Sequence, residues 1–145
     1  MSHEITAAQS RAARGLLDWS QTRLAEKSNL SESTVRDFEK GRRIPGANNL
    51  SAMRRALEAA GVVFVDENGD GAGVRLWKPR AEVLETKSGY QVQVALPGHA
   101  LPHVLKDDFL TEEGATAWAE SAEGQKFVSE LGERWWRRQR ENSER

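Results

Sequence analysis

The stretch "WSQTRLAEKSNLSESTVRDFEKGRRIP", residues 19–45, decides the fold of the first half of the chain. Ser20 is a good N-cap, and "QTRLAEKS" after it places Leu24 and Ala25 on one side of a helix. "NL" then turns the chain into Ser31, a second N-cap, and "ESTVRDFEK" continues as a helix that ends at a glycine. The stretch therefore predicts two short helices joined by a tight turn.

The second of these helices has an apolar side and an entirely polar side. Val35 and Phe38 fall on the side that must pack against the preceding helix. The opposite side, here called the polar face, consists of Glu32, Ser33, Arg36, Asp37 and Lys40. The major groove of DNA is wide enough to admit one such helix. A solvated outer helix has the same pattern, so the pattern alone leaves both interpretations open.

Two more helices are predicted around this stretch. Thr6 can cap the first, which runs to about Asp18, and the fourth runs from about Asn49 to Ala60 with Gly61 as its stop. Their apolar positions are Ala8, Ala12, Ala13, Leu16 and Leu17 in the first and Leu50, Met53 and Leu57 in the fourth. Four helices within about sixty residues make a compact all-α unit.

β-type sequence follows the fourth helix. "VVFV" and "VRLW", joined by "DENGDGAG", predict a hairpin with a Gly-rich loop. From Lys78 the composition changes, and Pro79 marks the predicted domain boundary. "AEVLET", the turn "KSG" and "YQVQVAL", with alternating apolar residues, predict a second hairpin, and "HVLKDDF" is a third candidate strand.

Two helices are predicted after these strands. Thr111 caps "TEEGATAWAES", and a last helix runs from about Glu123 to Arg140. Its apolar stripe is Phe127, Val128, Leu131 and Trp135. "ERWWRRQR" at its end fits binding to a nucleic-acid backbone or a partner contact through Trp135 or Trp136. The interpretation we prefer places Trp135 in the core of the second domain and the arginines in solvent.

Composition limits the class of protein. With 145 residues and 38% hydrophobic content, the chain can bury a core. The absence of Cys excludes disulfides, thiolate zinc sites and cysteine nucleophiles, and fits a reducing cytoplasm. No apolar run is long enough to span a membrane, and "MSHEITAAQS" lacks the regions of a signal peptide. We therefore expect a cytoplasmic protein.

Charge is divided unequally along the chain. The net charge is -1, but residues 1–61 hold ten Lys and Arg against seven Asp and Glu, a balance of +3. Residues 62–145 hold eleven against fifteen, a balance of -4. Imbalances of this size occur in any protein, so charge alone does not identify a nucleic-acid-binding segment.

The order of residues from about 6 to 61 resembles the lambda-repressor-like, Xre-type helix-turn-helix family. The resemblance rests on "SQ" opening the second helix, "LAEK", the short turn, the Ser-capped helix ending "FEKG", and the basic loop with Pro45. It implies a four- or five-helix DNA-binding domain, usually dimeric, that represses transcription at two-fold symmetric operators. Asn29 stands where the family usually has Gly, and Asn tolerates the left-handed backbone better than most residues. The acidity of the polar face is the larger departure.

The resemblance also implies which residues contact DNA. Glu32, Ser33 and Asp37 are base-facing, and Thr34 and Arg36 lie at the margin, able to reach backbone or base. Gln21 contacts a phosphate and braces the third helix, and Lys40, Arg42 and Arg43 contact phosphates. Ser31, the cap of the third helix, is also a predicted DNA-binding residue. Arg14 and Glu39 match a pair that this family often buries as a salt bridge between the first and third helices. We expect that pair to be structural.

The acids on the polar face suggest a hypothesis about specificity. Glu32 lies four residues before Arg36 and can hold its guanidinium for bidentate contact with guanine. Carboxylates can also accept from the amino group of cytosine, so that a wrong base is discriminated against at some loss of affinity. Glu32 would stabilise the helix dipole by about 0.3 to 1 kcal/mol even without DNA.

Motifs of other functions are incomplete. "DENGDG" copies the first half of an EF-hand loop, but Trp77 stands at the twelfth position in place of Glu, so we expect an ordinary turn. His99 and His103 have helical spacing for a metal, but Pro97 and Pro102 exclude a regular helix, so they are interpreted as loop histidines. No enzyme motif appears, and we expect no catalytic activity, cofactor or metal.

The sequence thus predicts a mainly α protein with two parts. Residues 1–78 form a helix-turn-helix DNA-binding domain with a trailing β-hairpin, and residues 79–145 form a small α+β domain for dimerisation or partner contact. The predicted function is a dimeric transcriptional repressor. The alternative is an antitoxin-like interaction protein whose C-terminal half binds a partner protein while the N-terminal half autoregulates. A third possibility, a ligand-responsive switch, would need a pocket in the second domain.

Overall fold

A computed structural model of the protein describes residues 4–144, which form two compact units divided between Trp77 and Lys78. Residues 1–3 and residue 145 lie outside the described residues. They include the start of the first predicted domain, the start of the stretch predicted not to be a signal peptide, and the end of the second predicted domain. No helix in the described part of the chain is long and apolar enough to cross a membrane.

The first unit contains four helices followed by a β-hairpin. Its elements are α1 Ala7–Leu17, α2 Gln21–Ser28, α3 Glu32–Glu39, α4 Ala47–Ala59, β1 Val62–Val65 and β2 Gly73–Leu76. The four predicted helices and the hairpin are confirmed. The fourth helix begins two residues earlier than predicted, because Gly46 rather than a side-chain cap takes the extended backbone at its N-cap position.

The predicted serine and threonine caps start the first three helices. Thr6 and Gln9 form a capping box, in which each side chain bonds to the backbone N–H of the other at 3.0 Å. Ser20 Oγ accepts from the backbone of Arg23 at 3.0 Å, and Ser31 Oγ accepts from that of Thr34 at 3.2 Å. These short helices therefore begin where the sequence predicts.

One apolar core joins the helices to the hairpin. Its largest fully buried side chains are Leu24, Val35, Met53 and Leu57, and Val62 and Phe64 extend it into the hairpin. The hairpin packs against α1 and α4. The polar Gln9 is also buried, and its amide donates to the carbonyl of Gly73 at 3.1 Å. The first unit therefore has a complete core of its own.

The loop between β1 and β2 has the turn structure that its Asp, Asn and Gly content predicts. Glu67 Oε1 accepts from the backbone of Gly69 at 3.0 Å and of Gly71 at 2.9 Å. These backbone hydrogen bonds lower the pKa of Glu67. Asn68 Oδ1 accepts from the backbone of Asp70 at 3.2 Å. Side chains of the loop thus bond to the loop's own backbone.

The second unit packs two helices with an antiparallel sheet. Its elements are β3 Glu82–Thr86, β4 Gly89–Val94, β5 His103–Phe109, α5 Glu112–Glu120 and α6 Ala122–Ser143, with strand order β3-β4-β5. α5 packs on the sheet over Val92, and its buried face is Ala115 and Ala119. Gly89 pairs with Thr86 across the hairpin, and a Cβ there would lie 2.2 Å from the carbonyl oxygen of Phe109.

Three details of the second unit differ from the sequence prediction. Gln93 is buried beside Val92, because shifts in strand register on both sides of Val92 break the strict alternation. Phe127 is 46% exposed and lies at the edge of the predicted apolar stripe, with its ring 5.9 Å from that of Trp118. His103, interpreted above as a loop histidine, is the first residue of β5, where the candidate strand "HVLKDDF" begins.

The tryptophan pair on α6 has one buried and one half-buried member. Trp135 is 6% exposed and lies with Val128 and Leu131 on the buried side of the helix, as predicted. The ring of Trp136 meets that of Trp135 edge-on, with centroids 4.7 Å apart, and is half-buried. The arginines beside them are exposed, which agrees with the interpretation preferred from the sequence.

Candidate nucleic-acid interface

The turn between α2 and α3 sets the position of the polar face. Asn29 has φ 56° and ψ 43°, the left-handed conformation, and ends α2. The backbone N–H of Leu30 donates to the carbonyl of Ala25 at 2.9 Å, and Leu30 packs against the core. The expectation that Asn29 can replace glycine at this turn is confirmed, and the chain passes directly into the Ser31 cap.

α3 is fixed by its inner side. Val35 is fully buried and Phe38 is 6% exposed, and α3 packs against both α1 and α2. On the outer side Glu32, Ser33 and Lys40 are exposed, while Thr34, Arg36 and Asp37 are half-buried. The helix therefore has the apolar and polar sides that its sequence predicts, and the polar face points away from the core.

A buried carboxylate ties α3 to α1 and α2. The Glu39 side chain is 1% exposed, and Arg14 Nη2 lies 2.6 Å from Glu39 Oε1, which confirms the predicted salt bridge. Ser10 Oγ donates to Glu39 Oε2 at 2.7 Å, and Gln21 Nε2 donates to Oε1 at 3.1 Å. Arg11 donates to the backbone carbonyl of the same residue. Four side chains from two helices thus bond to Glu39.

The charge of Glu39 follows from these contacts. Burial raises the pKa of Glu39, but hydrogen bonds from Arg14, Ser10 and Gln21, together with the charge of Arg14, outweigh it. The pKa of Glu39 lies below its ordinary value of 4.5. The carboxylate is therefore ionised at neutral pH and anchors α3.

Ser10 and Arg11 are partners of Glu39 that were not predicted from the sequence. Ser10 precedes Arg14 by four residues, so both lie on one side of α1. That spacing was a usable signal once Arg14 and Glu39 had been paired. Arg11 bonds to a backbone carbonyl, for which the sequence carries no signal.

The end of α3 carries the basic residues. Gly41 has φ 75°, its N–H donates to the carbonyl of Phe38 at 3.0 Å, and that of Arg42 donates to the carbonyl of Asp37 at 2.8 Å. This pair of bonds is a Schellman motif. Lys40, Arg42 and Arg43 lie in and beside this motif, and all three are exposed. Three basic residues are therefore exposed at the C-terminal end of α3.

The hypothesis that Glu32 orients Arg36 on DNA stays a prediction, and the structure of the protein alone gives Arg36 a different acidic neighbour. Arg36 Nε lies 4.0 Å from Asp37 Oδ1, and no ion pair in the described part of the chain includes Glu32. Adjacent helical residues point in different directions, so this contact is at the limit of an ion pair and contributes little. The guanidinium of Arg36 thus keeps most of its donors for a ligand.

Hydroxyl groups occupy the start of α3. Ser31 Oγ lies 2.7 Å from Thr34 Oγ1 and 3.1 Å from Ser33 Oγ. Ser33, Thr34, Asp37 and Arg43 also line one cleft of about 220 Å³ beside the start of α4. The structure therefore brings Arg43 together with part of the polar face. Gln21 lies apart from this cleft in the Glu39 network, where it braces α3 as expected.

Part of the first unit is similar to a known protein family. Residues 11–59 match the family described as helix-turn-helix, and the match extends from within α1 to the last residue of α4. A search of curated proteins gave no match to the chain. The matched segment contains α2, α3, the turn between them and the whole polar face.

Proposed function

We propose that this protein is a sequence-specific transcriptional regulator, because residues 11–59 match the helix-turn-helix family, a DNA-binding regulatory domain. The proposal is that it represses transcription as a dimer at a two-fold symmetric operator. The observation that supports it is the outward polar face of α3, held by a buried core and by the Glu39 network. Such a regulator acts on the DNA of the nucleoid in the cytoplasm.

In this proposal α3 enters the major groove. Its eight residues make a helix of about 12 Å, enough to reach a few base pairs. Arg36 donates to guanine, while Glu32, Ser33 and Asp37 meet neighbouring base edges. Ser31 and Thr34, at the margin of the polar face, donate hydroxyl hydrogen bonds to the DNA backbone.

The phosphate contacts come from residues around the polar face. Lys40, Arg42 and Arg43 are exposed at the end of α3 and supply positive charge. The amide of Gln21 has two N–H donors, and one of them bonds to Glu39. Its second donor is available to a phosphate, so that Gln21 both braces α3 and positions DNA.

A dimer follows from the small size of the reading helix. One short helix distinguishes few base pairs, whereas a two-fold pair reads two half-sites about one helical turn apart. We assign dimerisation, or contact with a partner protein, to the second unit. Occupation of a promoter by the dimer then excludes other proteins and represses transcription.

The alternative is an antitoxin-like protein whose second unit binds a partner protein. The observation that favours it is apolar exposure beside β5, where Leu101 is 80% and Leu110 is 86% exposed. Purification of the full chain from its host distinguishes the two. A stoichiometric partner that is lost when Leu101 and Leu110 are changed to Ser supports the alternative, and an unaccompanied homodimer supports the first proposal.

The direct test is selection of genomic DNA fragments by the full-length protein, followed by sequencing. We expect a shared two-fold symmetric motif with half-sites about one helical turn apart. The Arg36→Ala variant should lose the enrichment, and Arg75→Ala, an exposed arginine on β2, should keep it. If the unmodified protein enriches no motif over random DNA, the proposed function is wrong.

A further inference from the structure

The second unit contains a cleft between α6 and the segment that leads into β5. Its volume is about 610 Å³, within the range of small-molecule sites. Leu96, Leu131 and Trp135 supply apolar lining. The ionisable groups that line it are His99, His103, Arg134 and Arg138, with no carboxylate among them.

The two arginines make the charge of this cleft unusual. Arg134 and Arg138 are four residues apart, so both guanidinium groups lie on one side of α6. Like charges at this spacing repel each other weakly. In the described part of the chain no ion pair involves either of them. Among the described residues, the repulsion is therefore not offset by an acidic neighbour within ion-pair distance.

Other arginines of the chain do have such neighbours. Arg54 pairs with Glu58, four residues later on α4, at 3.3 Å. On α6 itself Arg137 and Arg140 line a different cleft, which also contains Glu133. The cleft that holds Arg134 and Arg138 is therefore distinguished by its lack of acid and not by its arginines alone.

We propose that this cleft binds a small organic anion with an apolar body. Arg134 and Arg138 would hold its carboxylate or phosphate, because a guanidinium donates two parallel hydrogen bonds to such groups. His99 and His103 offer further ring N–H donors, and Leu131 and Trp135 contact the apolar body. Because both guanidinium groups are positively charged, they repel a metal cation from the cleft. The site lies wholly in the second unit and is independent of the proposed DNA contacts.

The test is titration of the full-length protein with phenyl phosphate and with benzoate, followed by calorimetry. We expect at least one of them to bind. The anion that binds more tightly shows whether the cleft prefers a phosphate or a carboxylate. Inorganic phosphate, which lacks the apolar body, should bind about tenfold more weakly or not at all. Absence of binding by both aromatic anions would overturn the proposal.

Matched variants locate the site. R134Q/R138Q should weaken binding at least about tenfold, whereas R137Q/R140Q removes the same charge from the same helix and should leave it unchanged. R134K/R138K keeps the charge and loses bidentate geometry, so it should bind with intermediate affinity. Thermal unfolding of each variant shows that it is folded, and the four arginines are exposed.

Three results would show that the inference is wrong. Equal loss of binding in R134Q/R138Q and R137Q/R140Q would mean a general charge effect. Unchanged binding in R134Q/R138Q would place the anion elsewhere. If neither aromatic anion binds but R134Q/R138Q weakens binding to DNA, the arginines contact the DNA backbone, and the cleft is not a small-molecule site.

Discussion

Arg36 is the residue of α3 that we propose as the reader of a base. It is half-buried, and its ion pair with Asp37 is at 4.0 Å. A bidentate contact with guanine contributes about 1–3 kcal/mol of discrimination. The Arg36→Ala variant should therefore bind a consensus operator fragment about tenfold or more weakly, while its affinity for random DNA changes little. Fluorescence anisotropy with both fragments measures the difference.

Arg75→Ala is the control for this measurement. It removes one exposed arginine from the same unit but from the hairpin and not from α3. Because it removes one positive charge, it should lower the affinity for the operator fragment and the affinity for random DNA slightly and equally. Should Arg36→Ala behave in the same way, Arg36 does not read a base.

Glu39 makes stability depend on pH. Its pKa is lowered in the folded protein relative to the ordinary 4.5, so the folded state favours the ionised carboxylate. This stabilisation is fully present above about pH 4.5 and is lost as the pH falls through the lower pKa of the folded state. Acid should therefore destabilise the first unit in this range.

The Glu39→Gln variant should be less stable by about 3 kcal/mol at neutral pH, because Arg14 loses its buried partner. Its loss of stability between neutral pH and about pH 3 should be smaller than in the unmodified protein. Urea unfolding at several pH values measures both effects. Glu58→Gln, which removes an exposed pair with Arg54, should change stability by less than about 1 kcal/mol. Similar losses in the two variants would contradict the structural role of Glu39.

At the scale of elements, the turn between α2 and α3 depends on one backbone conformation. Asn29 has φ 56°, where Ala costs about 1 kcal/mol more than Gly. Asn29→Ala should destabilise the protein by about that amount and Asn29→Gly should not. Lys27→Ala, exposed within α2, is the control and should change little. Equal unfolding midpoints for the two Asn29 variants would mean that the left-handed turn is not important.

The junction of α5 and α6 depends on close backbone contact. A Cβ on Gly124 would lie 2.1 Å from the carbonyl oxygen of Trp118, and backbone cannot move aside cheaply. Gly124→Ala should destabilise the second unit by about 1–3 kcal/mol. Gly15→Ala on α1, where an added Cβ meets no other described part of the chain within 4 Å beyond its own helix, should be neutral or slightly stabilising. Chemical unfolding compares them, and a neutral Gly124→Ala would contradict the close packing.

Local signals in the sequence predicted the elements well. The capping side chains of Ser20, Ser31 and Thr111 each accept a hydrogen bond from the backbone three residues later. Because this signal is local, the starts of these helices could be predicted from the sequence. The burial of Gln93 could not be predicted in this way, because it depends on a strand register that is set by residues distant in sequence. The same is true of the hydrogen bond from Arg11 to the backbone of Glu39, since a bond to a backbone carbonyl of another helix leaves no local pattern.

At the scale of the whole molecule, features contained in one helix could be predicted from the sequence, whereas sites built from distant segments could not. The polar face of α3 could be inferred because its periodicity is contained in one helix. The cleft with Arg134 and Arg138 could not, because His99 and His103 reach it from another part of the chain. Dimerisation stays a prediction, and its residues are not identified by pattern or by the described contacts.

The division of charge along the chain has a consequence for DNA binding. The segment up to Gly61 has a balance of +3 although the whole chain has -1, so attraction to phosphates must come from local groups. Each phosphate contact releases counterions, which makes the logarithm of affinity fall with the logarithm of salt concentration by about 0.9 per contact. Lys40, Arg42 and Arg43 are the exposed basic group nearest in sequence to the polar face.

The K40Q/R42Q/R43Q variant should therefore bind every DNA sequence more weakly, and its salt slope should be shallower by about three units per protomer if all three residues contact phosphates. Its preference for the operator over random DNA should remain, because these residues do not read bases. K78Q/R80Q/K87Q, which neutralises three exposed residues of the second unit, should leave the slope unchanged. If the salt slope is the same in both variants, Lys40, Arg42 and Arg43 do not contact phosphates. If the affinity of the unmodified protein does not depend on salt, no residue of the chain makes such contacts.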